Sequence, residues 1–439
     1  MSQSLARSLP SLFLWQAVSV LTGFLTQVIL ARSLGPHDKG ILDLFLLIPL
    51  VASSVLDVGL LSANTYFAGK GTVSVSQLHS NTLTWSFVAG VITLIVTGGL
   101  LFLPGSIFPS LNSFQVVLAT VLVGPTLYAS LWAGLMYGAD RSLLVYRTTG
   151  LISLISFLVY GASLLMKAGI EAILFVSFVL LMLKALIPLA TTAHLTGLHL
   201  SLNKAILKQS VKYGLALYVG LAVNTLHVRV SQFLVESYLG PAELGYFALA
   251  VRIAEMVWLF DFVVINASVF RITSSDPAES TRVTQQMTRM IGLLVTTFSL
   301  FLALTAPVLI PVIFGSDFSP AVLPLLVLLP GIIGWSLARS VAQFISYQMG
   351  RPWLNTQAAS IAFFLNIALN VILIPSFGIS GAAISATVSY LCNLAILTAF
   401  FQKLANASLA STFLPQVEDL RLLKEVLRQT FRPLFAKSR

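Results

Sequence analysis

Four polar side chains recur at intervals of four, three and four along an otherwise apolar stretch: Thr225, Arg229, Gln232 and Glu236. On a helix turning about 100° per residue they form one narrow stripe, with Asn224, His227 and Ser231 as a second polar edge. A helix so decorated suits lipid poorly; it lines a wet cavity or hydrogen-bonds to neighbours in a packed bundle. The next apolar stretch carries Arg252 and Glu255 one turn apart, where they can pair, and Asp261 on the opposite side from Arg252. Arg229 and Arg252 lie at similar depth, about 10 Å in from the outer ends at 1.5 Å per residue. Facing a cavity, two guanidiniums would offer forked donors to a phosphate or pyrophosphate. Facing Glu236 and Glu255, they would instead be structural ion pairs. Arg339, followed by Gln343, and Lys184 sit nearer the cytoplasmic side, where a long basic side chain either guides an anion or snorkels to the interface.

Three carboxylates are candidates for ion coupling: Asp57, Asp261 and Glu255. An ionisable group within a membrane span is costly and commonly functional. Asp57 and Asp261 nearly match across an internal repeat; they could carry protons, or anchor a bend at Gly59 and the packing around it. His194 and His199 fall in a basic loop and read as solvated side chains rather than metal ligands. The single cysteine, Cys392, cannot form an intrachain disulfide. Neither a metal nor a cofactor is expected.

The elements that hold these residues follow from composition. Charged residues are 9% of the chain against about 25% in soluble domains, and 57% is hydrophobic. This is the composition of an all-α polytopic membrane protein. A hydrocarbon core about 30 Å thick needs roughly 20 apolar residues per helix, and about twelve such runs can be placed: 10–31, 41–68, 80–103, 114–138, 143–166, 169–192, 210–235, 246–270, 287–314, 321–347, 355–375 and 378–401. The first is too long for a signal-peptide core and lacks a small-residue cleavage site, so it reads as a retained helix.

The net charge of +10 reports orientation. With a cytoplasmic N-terminus, Arg7, Lys70, Arg141, Arg147, Lys204, Lys208, Lys212, Arg271, Arg282, Arg289, Arg351, Lys403 and the basic tail all fall inside. Only Arg32, Lys39 and Lys167 fall outside. That asymmetry places both termini in the cytoplasm; the expected location is the inner (cytoplasmic) membrane. It speaks for contact with anionic membrane lipids and against nucleic acid.

A loop phrase occurs twice, Leu34-Gly35-Pro36 with Gly40 and Leu239-Gly240-Pro241 with Gly245, about 205 residues apart. The interval holds six spans, an even number, so the copies are parallel repeats. A second echo links Gly169-Ile170 and Ala172 to Gly378-Ile379 and Gly381-Ala382-Ala383. The expected domains are a six-helix lobe over 1–200, a second over 201–405, and a cytoplasmic tail over 406–439. In the tail, Leu420, Leu423, Leu427, Phe431 and Leu434 recur at threes and fours, as in an interfacial amphipathic helix.

The repeated Leu-Gly-Pro-x-x-x-Gly opening, with the late run Asn366–Asn370, Leu373-Ile374-Pro375, Phe377-Gly378-Ile379 and Gly381-Ala382-Ala383, resembles the polysaccharide-export branch of the multidrug/oligosaccharidyl-lipid/polysaccharide superfamily. The resemblance covers most of residues 10–401 and rests on structural motifs. It implies two six-helix bundles around a central cavity, alternating access, and movement of lipid-linked oligosaccharide, with a polyprenyl diphosphate carrier, to the outer leaflet. It also implies the company of a polysaccharide polymerase and glycosyltransferases. Lipid II flippases of the superfamily usually have fourteen helices, against about twelve here. A cation-coupled multidrug exporter is the other reading within the superfamily, although such exporters favour acidic or aromatic sites over buried arginines. A membrane glycosyl-transfer enzyme fits less well, because no long loop or soluble domain offers a site for one. Gly69-Lys70-Gly71-Thr72 lacks the earlier glycine of a phosphate loop. Energy is therefore expected from an ion gradient, the membrane potential or product withdrawal.

Overall fold

A computed structural model describes residues 3–102, 108–196, 201–416 and 418–419. The described residues are helical throughout, with no strand. In chain order the helices are α1 (Gln3–Leu56), α2 (Leu60–Lys70), α3 (Val75–Leu100), α4 (Ser113–Val121), α5 (Val123–Gly138), α6 (Ser142–Leu165), α7 (Ile170–Thr196), α8 (Lys204–Leu239), α9 (Pro241–Glu255), α10 (Trp258–Ser274), α11 (Pro277–Phe314), α12 (Val322–Gln343), α13 (Pro352–Ala405) and α14 (Leu409–Phe413). Lipid supplies no hydrogen bonds, so each apolar run closes its own backbone ladder. Starts are marked in the sequence: Ser74 and Asn203 accept N–H groups of the first turns of α3 and α8, and Asn112 with Gln115 forms a capping box on α4.

Among the described residues, eight helices are long and apolar enough to cross a membrane. Two of them are pairs of helices joined at a corner, at Gly35 in α1 and at Gly378 in α13. Split there, and joined by α8 and by α9 with α10, they make up the twelve runs expected. The expected interfacial helix at Leu420–Leu434 lies outside the described residues, as does His199.

The two Leu-Gly-Pro corners share one backbone geometry: Gly35 has φ 68° and ψ 176°, Gly240 has φ 85° and ψ −176°. Only glycine adopts that region at low cost. The corners also touch reciprocally. A Cβ on Gly40 would lie 1.7 Å from the carbonyl oxygen of Pro241, and one on Gly245 would lie 2.2 Å from that of Pro36. The two corners thus exchange equivalent contacts at equivalent positions of the repeated phrase.

The chain packs as two compact units, Met1–Ala248 with Leu309–Pro320, and Leu249–Val308 with Ala321–Arg439. Helix α8 belongs to the first unit. A close backbone crossing holds it there: a Cβ on Gly59 would lie 2.3 Å from the carbonyl carbon of Gly214, and one on Gly214 would lie 2.1 Å from the carbonyl oxygen of Gly59. The short segment Leu309–Pro320 is fastened to the same unit by Arg32, expected in an outer loop. Its guanidinium lies in α1 and donates to the terminal carbonyls of α11, Ile313 O at 2.7 Å and Val312 O, where a cation also opposes the helix dipole.

Each unit has its own core. In the first, Phe67, Leu78, Tyr128, Trp132, Leu135 and Met136 cluster, tied by buried polar links between helices. His79 Nε2 meets the Tyr128 hydroxyl at 2.9 Å, Trp132 Nε1 donates to Thr192 at 2.7 Å, and Asn64 donates to Thr82 at 2.8 Å. In the second, Phe344 packs edge-on against Phe401 with centroids 5.1 Å apart, beside Val341, Ala358 and Leu397. Asn366 there donates to Ser389 at 3.0 Å and accepts from Asn370 at 2.8 Å.

Candidate functional site

Within the first unit, α1, α5, α6, α7 and α8 enclose a cavity of about 390 Å³. Its shape depends on two helix defects. The first follows Asp57, where Val58 (φ 43°) and Gly59 (φ 84°) turn the chain through left-handed backbone between α1 and α2. Asp57 Oδ1 accepts the N–H of Leu61 at 2.9 Å and so caps α2. The carbonyls released at the end of α1 also find partners: the Tyr218 hydroxyl donates to Val55 O, and Trp85 Nε1 donates to Leu56 O at 2.9 Å. A broken membrane helix persists because these groups are satisfied.

The second defect is Pro188 in α7. Proline has no N–H, so the carbonyl of Lys184, four residues earlier, loses its helical donor. Lys184 and Pro188 both line the cavity, with Asp57, Ser53, Ser54, Thr126, Ser130, Trp132, Tyr137, Thr148, Thr149, Tyr218 and Thr225. Lys184 has no hydrogen-bond or ion-pair partner among the described residues. As a lining residue it can present its amine to the cavity.

The polar stripe of α8 divides. Thr225 faces the cavity, its hydroxyl bonded to Leu221 O at 3.0 Å. Asn224 donates to Gly220 O at 2.8 Å in its own helix. His227, Ser231, Gln232 and Glu236 are buried, and Arg229 is half-buried. Glu236 accepts the backbone N–H of Ser110 at 3.1 Å.

In the second unit, Asp261 is fully buried and Arg339 Nη1 donates to both of its oxygens, at 3.0 and 3.4 Å. Two residues expected in different roles, ion coupling and anion guidance, are thus one ion pair. About one turn before each partner, Trp258 and Trp335 meet with centroids 6.2 Å apart, and Trp335 packs on Tyr390 at 4.7 Å. The expected pairing of Arg252 with Glu255 does not form: Arg252 is exposed and has no partner among the described residues. The helix is interrupted one residue after Glu255, with i→i+3 bonds at Met256 and Val257 before α10 begins at Trp258.

Two buried ion pairs were not foreseen. Lys39, expected in an outer loop, is buried against Asp43 one turn on, and the i,i+4 spacing was the available signal. Arg289, expected as an exposed cytoplasmic charge, is buried and grips Asp419 through Nε at 2.6 Å and Nη2 at 3.1 Å, while Nη1 donates to Ser411 O at 2.5 Å. No local pattern announces a partner 130 residues away. Among the described residues no cluster of His, Cys, Asp or Glu is arranged to hold a metal.

The pattern of the family described as polysaccharide biosynthesis protein matches residues 29–323, well over half of the chain. The probable low-salt glycan biosynthesis flippase Agl15 of Haloferax volcanii is 38% identical over 85 residues; the match spans 19% of this chain and 17% of that relative. Among solved structures, the lipid II flippase MurJ in an inward closed conformation superposes with a TM-score of 0.70 at 14% identity, covering 96% of this chain and 100% of that one. An inward-facing multidrug resistance MATE transporter of the MOP superfamily gives 0.65 at 13% identity, covering 90% and 98%. The fold is thus that of the MOP transporters along nearly the whole chain, and by the match over residues 29–323 this protein belongs to the polysaccharide biosynthesis protein family.

Proposed function

We propose that the protein is a flippase that moves lipid-linked oligosaccharide units from the cytoplasmic to the outer leaflet by alternating access, with a polyprenyl diphosphate as the carrier. The observation that carries this reading is Arg252: an exposed guanidinium without a partner among the described residues, in a helix of a membrane protein of this family. Such a group facing hydrocarbon would cost several kcal/mol. An anionic head group is the partner it lacks, and guanidinium matches phosphate oxygens with forked donors. Arg229 is the second candidate cation, with Thr225, Asn224, His227 and Gln232 on the same helix as polar contacts. Arg339 is already engaged by Asp261, so its contribution runs through that pair.

In cells relying on this protein for surface polysaccharide, Arg252→Ala is expected to reduce export about tenfold or more, the scale of one lost charge-assisted contact. Membrane abundance should stay normal. Arg252→Lys should recover part of the activity, because the charge remains and the fork is lost. Normal export by abundant Arg252→Ala protein would remove the site assignment.

Both termini are proposed to be cytoplasmic, in the inner membrane, with glycosyltransferases and a polymerase as working partners. Reporter fusions after about residues 75, 145, 200 and 405 should read cytoplasmic, and fusions near 36, 240 and 318 exterior. A consistent reversal would overturn the orientation.

A cation-coupled multidrug exporter is the second reading, favoured by one observation: the first-unit cavity carries a carboxylate, Asp57, among Trp132, Tyr137 and Tyr218. Drug resistance conferred on a sensitive host, with no effect on surface polysaccharide, would select it.

A further inference from the structure

The first-unit cavity holds chemistry that carrying a diphosphate head group does not use. Lys184 brings an unpartnered positive charge, and its own carbonyl, released by Pro188, is an acceptor beside it. The Thr126 hydroxyl is buried with no hydrogen-bond partner, although a buried hydroxyl normally has one. Ser53, Ser54 and Thr225 donate to carbonyls of their own helices, at 3.0, 2.8 and 3.0 Å, so their oxygens remain acceptors. Asp57 uses Oδ1 to cap α2 and keeps its second oxygen as an acceptor. The wall thus combines one cation, several acceptors for hydroxyl donors, and aromatic side chains, of which Tyr137 is exposed. Its volume of about 390 Å³ lies in the range of small-molecule sites, about 300–1,000 Å³.

We propose that this cavity binds an acidic sugar: a single pyranose ring whose carboxylate meets Lys184, whose hydroxyls are taken by Asp57, the Lys184 carbonyl and the wall hydroxyls, and whose apolar face packs on an aromatic ring. A bare inorganic anion would satisfy Lys184 and leave the hydroxyl acceptors idle. A neutral sugar would leave the ammonium unpaired in a membrane interior, which is the larger cost. An acidic sugar answers both. The site rests on the flippase reading in one respect only, that the sugar would arrive as part of the exported oligosaccharide, and it adds a preference for chains that carry uronic acids.

The test is binding to the purified full-length protein in nanodiscs, followed by ligand-observed NMR and by the fluorescence of Trp132 in a variant whose other tryptophans are phenylalanine. Free glucuronate should bind, while glucose and inorganic phosphate should bind at least about tenfold more weakly. Lys184→Gln should lose about tenfold or more in glucuronate affinity, Lys184→Arg should keep most of it, and Lys403→Gln, at the exposed end of α13, should leave it unchanged. Equal binding of glucose and glucuronate, phosphate binding as well as glucuronate, or undiminished binding by folded Lys184→Gln protein would each overturn the assignment. Because binding is read without transport, a protein that holds glucuronate through Lys184 yet exports no polysaccharide would defeat the flippase reading and leave this site standing.

Discussion

Gly40→Val should abolish accumulation of folded protein in the membrane. The added Cβ alone would sit 1.7 Å from the Pro241 carbonyl oxygen and 3.0 Å from the Gly245 nitrogen, and both are backbone atoms in a helix-breaking corner that cannot swing aside as a side chain would. Overpacking commonly costs about 1–3 kcal/mol, and a clash with backbone belongs at or above the top of that range. Gly245→Val should behave alike, because its Cβ meets the Pro36 carbonyl in the same way. Gly98→Ala in α3 is the control: nothing lies within 4 Å of its Cβ, and replacing a compatible glycine is stabilising by about 0.4–1 kcal/mol. Detergent-solubilised abundance and thermal unfolding by size-exclusion chromatography give the comparison. Gly40→Val protein as stable as wild type would refute the reciprocal corner contact.

The second large effect is expected at Asp261 and Arg339. Arg339→Ala strands a fully buried carboxylate, and breaking a buried pair costs about 3–5 kcal/mol. The arginine is itself 36% exposed, so the lower end, about 3 kcal/mol, applies. Asp261→Asn should cost less, since the amide still accepts from the guanidinium while the carboxylate charge is gone. The double variant Asp261→Asn, Arg339→Gln should be more stable than Arg339→Ala alone, because no buried charge is left without its partner. If Arg339 served only as a substrate contact, Arg339→Ala would lose transport at wild-type thermal stability, and the double variant would gain nothing.

What could be read in the sequence was whatever is local or repeated. Gly35 and Gly240 break the chain in one way because each must supply a backbone conformation that other residues avoid, and that requirement is visible as a repeated phrase. Hydrophobic runs mark membrane helices because lipid permits few alternatives. The interruption after Glu255 had no such signal, because Met256 and Val257 are ordinary helix residues, and the Arg252–Glu255 pairing read from helical spacing does not form. Pairings across sequence distance were also hidden. Arg289 looks like any cytoplasmic charge until Asp419 is brought to it, and Arg339 and Asp261 read as separate functional groups. The cavity around Lys184 was half legible. Asp57 and Thr225 were singled out as membrane-embedded polar residues, but Tyr137, Thr148, Thr149 and Tyr218 are single polar groups on different helices, and only folding collects them. Pro188 four residues after Lys184 was the one local hint, since it frees a carbonyl beside a charge.

The most direct measurement is leaflet accessibility in proteoliposomes containing the purified protein and a polyprenyl-diphosphate-linked oligosaccharide with a fluorescent sugar. An impermeant reductant added outside quenches only the outer leaflet. The account predicts that the protein raises the quenched fraction from about half toward completion, and that Arg252→Ala protein reconstituted at equal density does so about tenfold more slowly. Quenching that stays at the protein-free level, with vesicles that instead move an organic cation against a proton gradient, would contradict it.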